Sequence, residues 1–102
     1  MTMTKAAQDV LAERQRQIDV EGWSHAHDDG IDEGDLAAAG SAYALNAACN
    51  LNPLANPLDE IPDTWPWDVQ WWKPTTPRRD LVKAGALILA AIEQIDRDGE
   101  PS

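Results

Sequence analysis

Thr76-Pro77-Arg78-Arg79-Asp80-Leu81-Val82-Lys83-Ala84-Gly85-Ala86-Leu87-Ile88-Leu89-Ala90-Ala91-Ile92-Glu93-Gln94-Ile95 is the stretch that decides the fold. The Thr76 hydroxyl can accept from a free amide at a helix start, and Pro77 suits the first helical position, where no amide hydrogen is needed. Leu81, Ala84, Ile88, Ala91, Ile92 and Ile95 mark one face, while Val82, Ala86 and Leu89 mark another. A helix apolar on two sides is expected to be buried on two sides. In a chain of 102 residues, that excess predicts a subunit interface, in a homodimer or a higher assembly.

Upstream of this helix, residues 51–76 resist regular assignment. Six of the seven prolines lie between Leu51 and Pro77, and four of the five tryptophans lie between Trp65 and Trp72. A segment this long between helices points to packing or functional duty rather than simple connection. A second helix is expected over residues 33–49, with Asp32 as its cap and Asp35 in its first turn. Leu36, Ala39, Tyr43 and Ala47 form its stripe, and its many alanines allow another backbone to approach closely. A first helix is expected over residues 4–20, with Ala6, Ala7, Val10, Leu11, Arg14 and Ile18 near one face. The third helix should run over residues 77–97. The predicted fold is therefore all-α: one domain, a small bundle of about three helices with a long Pro/Trp-rich loop, oligomeric.

Composition narrows the partners. The formal net charge is −10, the wrong sign for a protein that wraps a nucleic-acid polymer or docks on an anionic membrane. No apolar run is long enough to span a bilayer, and no signal-type stretch opens the chain. The single cysteine, Cys49, lies in an apolar run and reads as a small buried hydrophobe. These features predict a soluble protein of a reducing compartment, the cytoplasm.

Against that acidic background, Lys73, Arg78, Arg79 and Lys83 hold four of the eight basic residues. Arg78 and Arg79 sit in a helix's first turn, where the amides already favour an anion and a cation is mildly unfavourable. Two reasons would place them there: a phosphate ligand, or pairing with the acidic segment of residues 28–35. Lys83 follows Arg79 by four and can face the same pocket. Trp67 and Trp71 are candidate stacking platforms for a base, with the remaining tryptophans serving as core. Glu13, Arg16 and Gln17, three and four apart, can share a helix face and line the opposite wall, or form an ordinary solvated face. His25, His27, Asp28, Asp29, Asp32, Glu33 and Asp35 are the densest set of metal-ligand types. They read either as a Mg²⁺ site or as a solvated acidic loop.

The order Glu13-Arg14-Gln15-Arg16-Gln17, Glu21-Gly22-Trp23, His27-Asp28-Asp29, Gly34-Asp35-Leu36-Ala37, Tyr43-Ala44, Trp65-Pro66-Trp67, Trp71-Trp72-Lys73-Pro74 and Arg78 through Ile88 resembles a family of small bacteriophage and prophage proteins. More distantly it resembles the MazG-like, all-α nucleoside triphosphate pyrophosphohydrolases, down to an Ile95-Asp96-Arg97 ending. That resemblance implies two helical carboxylate pairs holding Mg²⁺ against a triphosphate. The first pair would fall at Asp32 and Asp35. The second would fall at Asp80 and Lys83, where a lysine replaces a metal ligand. The departure implies nucleotide binding without catalysis, and so no required cofactor. The expected protein is a phage-encoded binder of a small nucleotide, sequestering a signal of host defence in the bacterial cytoplasm. Its ligand would be held by Glu13, Arg16, Trp67, Trp71, Lys73, Arg78, Arg79 and Lys83. Two alternatives stand beside it: a Mg²⁺-dependent pyrophosphohydrolase using Asp32, Asp35 and Asp80, and an adaptor that docks on a host protein.

Overall fold

The structure is a computed structural model that describes residues 2–19, 34–52, 54 and 60–99. Among them, three α-helices form a small all-α bundle: α1 over Lys5–Asp19, α2 over Asp35–Leu51 and α3 over Pro77–Gly99. A single 3-10 turn, Val69–Trp71, interrupts the Pro/Trp-rich segment. No described helix is long and apolar enough to cross a membrane.

Local chemistry sets the helix ends. Thr4 opens α1, its hydroxyl accepting from Ala7 N at 3.1 Å. Thr76 opens α3 in the same way, accepting from Arg79 N at 3.2 Å, with Pro77 as the first helical residue. The start of α2 differs from expectation. Its cap is Gly34, in the left-handed region at φ 87° with no side-chain cap bond. Such a backbone conformation suits glycine, so Asp35 becomes the first helical residue instead of lying three past the cap. Asp32, the expected cap, lies outside the described residues, as do Trp23, His25, His27, Asp28, Asp29 and Glu33. At its far end α2 continues past Cys49, which is half-buried, and stops at Asn52.

Helix α3 is the spine. It packs against α2 on one side and α1 on the other, while α1 and α2 do not pack on each other. The α2–α3 contact is apolar: Leu36, Ala39 and Tyr43 meet Ala84, Leu87 and Ala90 in one buried cluster. The expected α2 stripe, completed by Ala47, is buried throughout. Gly40 permits the close approach, since a side-chain carbon there would lie 3.2 Å from Ile88 Cγ1 and 3.3 Å from the Ala84 carbonyl oxygen. On the other side, a side-chain carbon at Gly85 would lie 3.2 Å from both Val10 methyls.

Two expected faces need correction. The buried residues of α1 are Glu13, Arg14 and Gln17, whereas Ala6 and Leu11 are exposed. Polar side chains can take those places because α3 supplies their partners. On α3 the buried positions are Asp80, Val82, Ala84, Ala86, Leu87, Ala90 and Gln94. Of the expected face, Ala84 is buried and Ala91 half-buried, whereas Leu81, Ile88, Ile92 and Ile95 stay exposed among the described residues.

Candidate functional site

The site grows from one carboxylate. Glu13 is 2% exposed, and a buried carboxylate is costly unless charged donors surround it. Here they do. Arg16, one turn along α1, donates Nε and Nη2 to the two Glu13 oxygens at 2.8 Å each, a two-pronged fork. Arg79 from α3 donates Nη2 to Glu13 Oε1, and Gln17 donates Nε2 to Glu13 Oε2 at 3.3 Å. Burial alone would raise the Glu13 carboxyl, yet the Arg16 hydrogen bonds and the Arg16 and Arg79 charges outweigh it. The group is held below its ordinary value. Gln17 Oε1, buried beside it, has no hydrogen-bond partner among the described residues.

The flanking ion pairs complete a polar seam. Arg78 Nη1 lies 2.9 Å from Asp9 Oδ2, and Arg14 sends Nε and Nη2 to Glu93 Oε1 at 3.1 and 2.9 Å. The described carboxylates that meet Arg78 and Arg79 thus come from α1. The acidic segment that was the expected source is largely outside the described residues. The Asp9 carboxyl is held low by its hydrogen bonds to Lys5 first and to Arg78 second.

Asp80 has a structural task. It is 0% exposed, Oδ1 accepts from Thr75 N at 2.8 Å and Oδ2 accepts from Asn46 Nδ2 at 3.0 Å. The carboxylate therefore ties the last turn of the Pro/Trp-rich segment to both α2 and α3. One turn on, Lys83 Nζ donates to the Lys73 carbonyl at 2.6 Å and lies 5.4 Å from the centre of the Tyr43 ring. Burial is the main reason its ammonium is held below the ordinary lysine value. Arg79 and Arg16 push the same way, against Asp80 and Glu13.

The described tryptophans divide between packing and exposure, and Trp67, an expected stacking platform, falls on the packed side. Tyr43 stacks on Trp72 at 4.6 Å, and Trp65 meets the edges of both at 5.5 and 5.1 Å. Trp67 packs edge-on against Trp65 at 5.3 Å, and all three indoles cover the α2–α3 core. The Tyr43 hydroxyl also accepts from Lys73 N at 3.2 Å, pinning the segment to α2. Trp71 alone among the four is exposed, at 57%, with Lys73 Nζ 5.8 Å from its ring centre.

Some of the candidate residues touch, and others are linked only through their charges. Trp71 meets Lys73, Lys73 meets Lys83, and Lys83 feels Arg79, Glu13 and Arg16. Trp67 belongs to the aromatic packing, and Arg78 sits apart with Asp9. Of the candidate metal ligands, Asp35 is half-buried at the start of α2 and Asp80 is enclosed. No group of three or more metal-ligand types forms among the described residues. Sequence reasoning missed Asn46 and the anchoring hydroxyl of Tyr43. The available signal was an amide one turn after Tyr43 on an otherwise apolar stripe.

Fold and site together define a small all-α protein with a basic, tryptophan-edged surface at the start of its central helix. Neither a family model, a curated protein nor a solved structure matches the chain.

Proposed function

We propose that this protein binds a small nucleotide or nucleotide-like ligand where α1 meets the start of α3, and holds it without cutting it. The observation that carries the reading is local charge. In a chain of net charge −10, Arg16 and Arg79 hold the buried carboxylate of Glu13, and Lys83 feels the charges of all three. Arg16 and Arg79 side chains remain 37% and 39% exposed, so a phosphate can approach their outer faces. Trp71 offers an exposed ring for the base, and Lys73 stands over it.

The resemblance to phage and prophage proteins supports a narrower version, in which the ligand is a nucleotide signal of host defence sequestered in the bacterial cytoplasm. The pyrophosphohydrolase version fits less well. Asp80 would have to release Thr75 N and Asn46 to reach a Mg²⁺ ion, and the charged group beside it is the Lys83 ammonium. An adaptor reading shares the exposed Trp71 and adds the exposed Leu54 and Val69.

Calorimetric titration with linear and cyclic nucleotides, with and without Mg²⁺, tests the proposal when the nucleotides are chromatographed afterwards. Binding with the ligand recovered intact is expected. Trp71→Ala should weaken it by about 5- to 150-fold, as loss of roughly 1–3 kcal/mol of stacking requires. Metal-dependent release of monophosphate would restore the enzyme reading. Absence of binding across the panel would overturn both.

A further inference from the structure

Helix α3 carries a second surface that the ligand site does not use. Leu81, Ile88, Ile92 and Ile95 are 45%, 45%, 48% and 67% exposed, on the side of the helix opposite its buried Ala86 and Ala90. Their spacings of seven, four and three place them on one stripe, the seam pattern of a two-stranded helical pair. A soluble helix normally shows charge on the face turned away from its core. Here that face is aliphatic.

We infer that the stripe is covered by a second copy of the same helix, running antiparallel about a twofold axis near Ile88. Two features select this occupant. The ends of the stripe are symmetric about Ile88, because Leu81 and Ile95 each lie seven residues away, while Ile92 falls at the level of the buried Ala84 of the second copy. An antiparallel copy therefore sets Leu81 against Ile95 of the second copy and Ile88 against itself, a self-complementary contact. The flanking charges are complementary only in that direction. Arg78 lies three residues before Leu81, Asp96 lies one residue after Ile95, and both fall on the same flank of the stripe. Antiparallel pairing brings Arg78 near Asp96 of the second copy and opposes the two helix dipoles. Parallel pairing would put the two Arg78 side chains, and the two Asp96 side chains, on opposite flanks of the seam with no such match. The inference is independent of the ligand proposal, since none of the stripe residues lies in that site.

Sedimentation equilibrium of the full chain should give a dimer. Ile88→Glu with Ile92→Glu should weaken self-association at least tenfold while leaving helical circular dichroism intact, because both side chains are already half exposed. Direction is read by cross-linking in a Cys49→Ser background. Ile88→Cys should oxidise to a covalent dimer with itself, and Leu81→Cys should cross-link with Ile95→Cys in a mixture but not with itself. Self-linking of Leu81→Cys would replace the antiparallel arrangement with a parallel one. A monomeric wild-type chain would overturn the inference. A monomer whose melting temperature drops on Ile88→Glu would assign the stripe to another part of the same chain.

Discussion

Where α2 meets α3, Leu36, Ala39 and Tyr43 lie against Ala84, Leu87 and Ala90; where α1 meets α3, the side chains that α1 buries are Glu13, Arg14 and Gln17. Two helices thus rest on one spine by different physics. The first contact is mainly apolar area removed from water, crossed by one buried hydrogen bond from Asn46 to Asp80. The second consists of charges that stabilise only when each has its partner, and it responds to protonation and to competing ions. The proposed phosphate site lies on the second contact. A ligand anion near Arg79 and Arg16 would act on the same guanidinium groups that dock α1.

The contrast can be broken most strongly from the apolar side. Leu87→Ala should cost about 2–5 kcal/mol in urea unfolding, because Leu87 is 1% exposed and its removal leaves a cavity between α2 and α3. Glu13→Gln should cost less, about 1–3 kcal/mol, because the arginines it leaves unpaired are partly solvated. It should loosen α1 while the near-ultraviolet signal of the Tyr43, Trp65 and Trp72 cluster persists. Loss of that signal would mean the two contacts are not separable.

Acid offers a reversible version of the same experiment. The Glu13 carboxyl is lower in the folded protein than its ordinary value of 4.5. Its contribution is therefore fully present above that value and disappears as pH falls through the folded one. Melting temperature should hold from neutral pH down to about 5 and then decline, and Glu13→Gln should flatten that decline. The smallest expected effects separate the two glycines. Gly40→Ala presses on the Ala84 backbone carbonyl, which cannot yield, and should cost about 1 kcal/mol. Gly85→Ala presses only on the Val10 methyls, and the roughly 0.5–1 kcal/mol gained in helix propensity should leave it near neutral.

The apolar half was legible in the sequence. Helix caps such as Thr76-Pro77 act locally, and the Leu36, Ala39, Tyr43, Ala47 stripe follows from helical spacing, so both could be read without knowing the rest of the fold. The polar half resisted reading for the converse reason. Glu13 is paired by an arginine 66 residues away, and no local pattern distinguishes a carboxylate with that partner from one on a wet face. Helical spacing alone also did not say which expected face of α3 meets the other helices: Val82 and Ala86 are buried, with Leu87, while Ile88, Ile92 and Ile95 are exposed. Of the expected set, Trp71, Lys73 and Lys83, near one another in sequence, are in contact, while Arg78 pairs with Asp9 and Trp67 is packed on Trp65. That Asp80 would be enclosed by Asn46 and Thr75 was not foreseen, since Asn46 lies 34 residues upstream in another helix.

Amide hydrogen exchange, resolved by helix and recorded with and without a saturating nucleoside triphosphate, tests the central claim most directly. The α1 amides should exchange faster than those of α2 in the free protein, because a contact made of charges opens at lower cost than the apolar one. The nucleotide should then raise protection at α1 and the start of α3 while leaving α2 unchanged. Equal protection of α1 and α2 in the free protein, with no change on adding nucleotide, would contradict both the division of the molecule and the site placed on it.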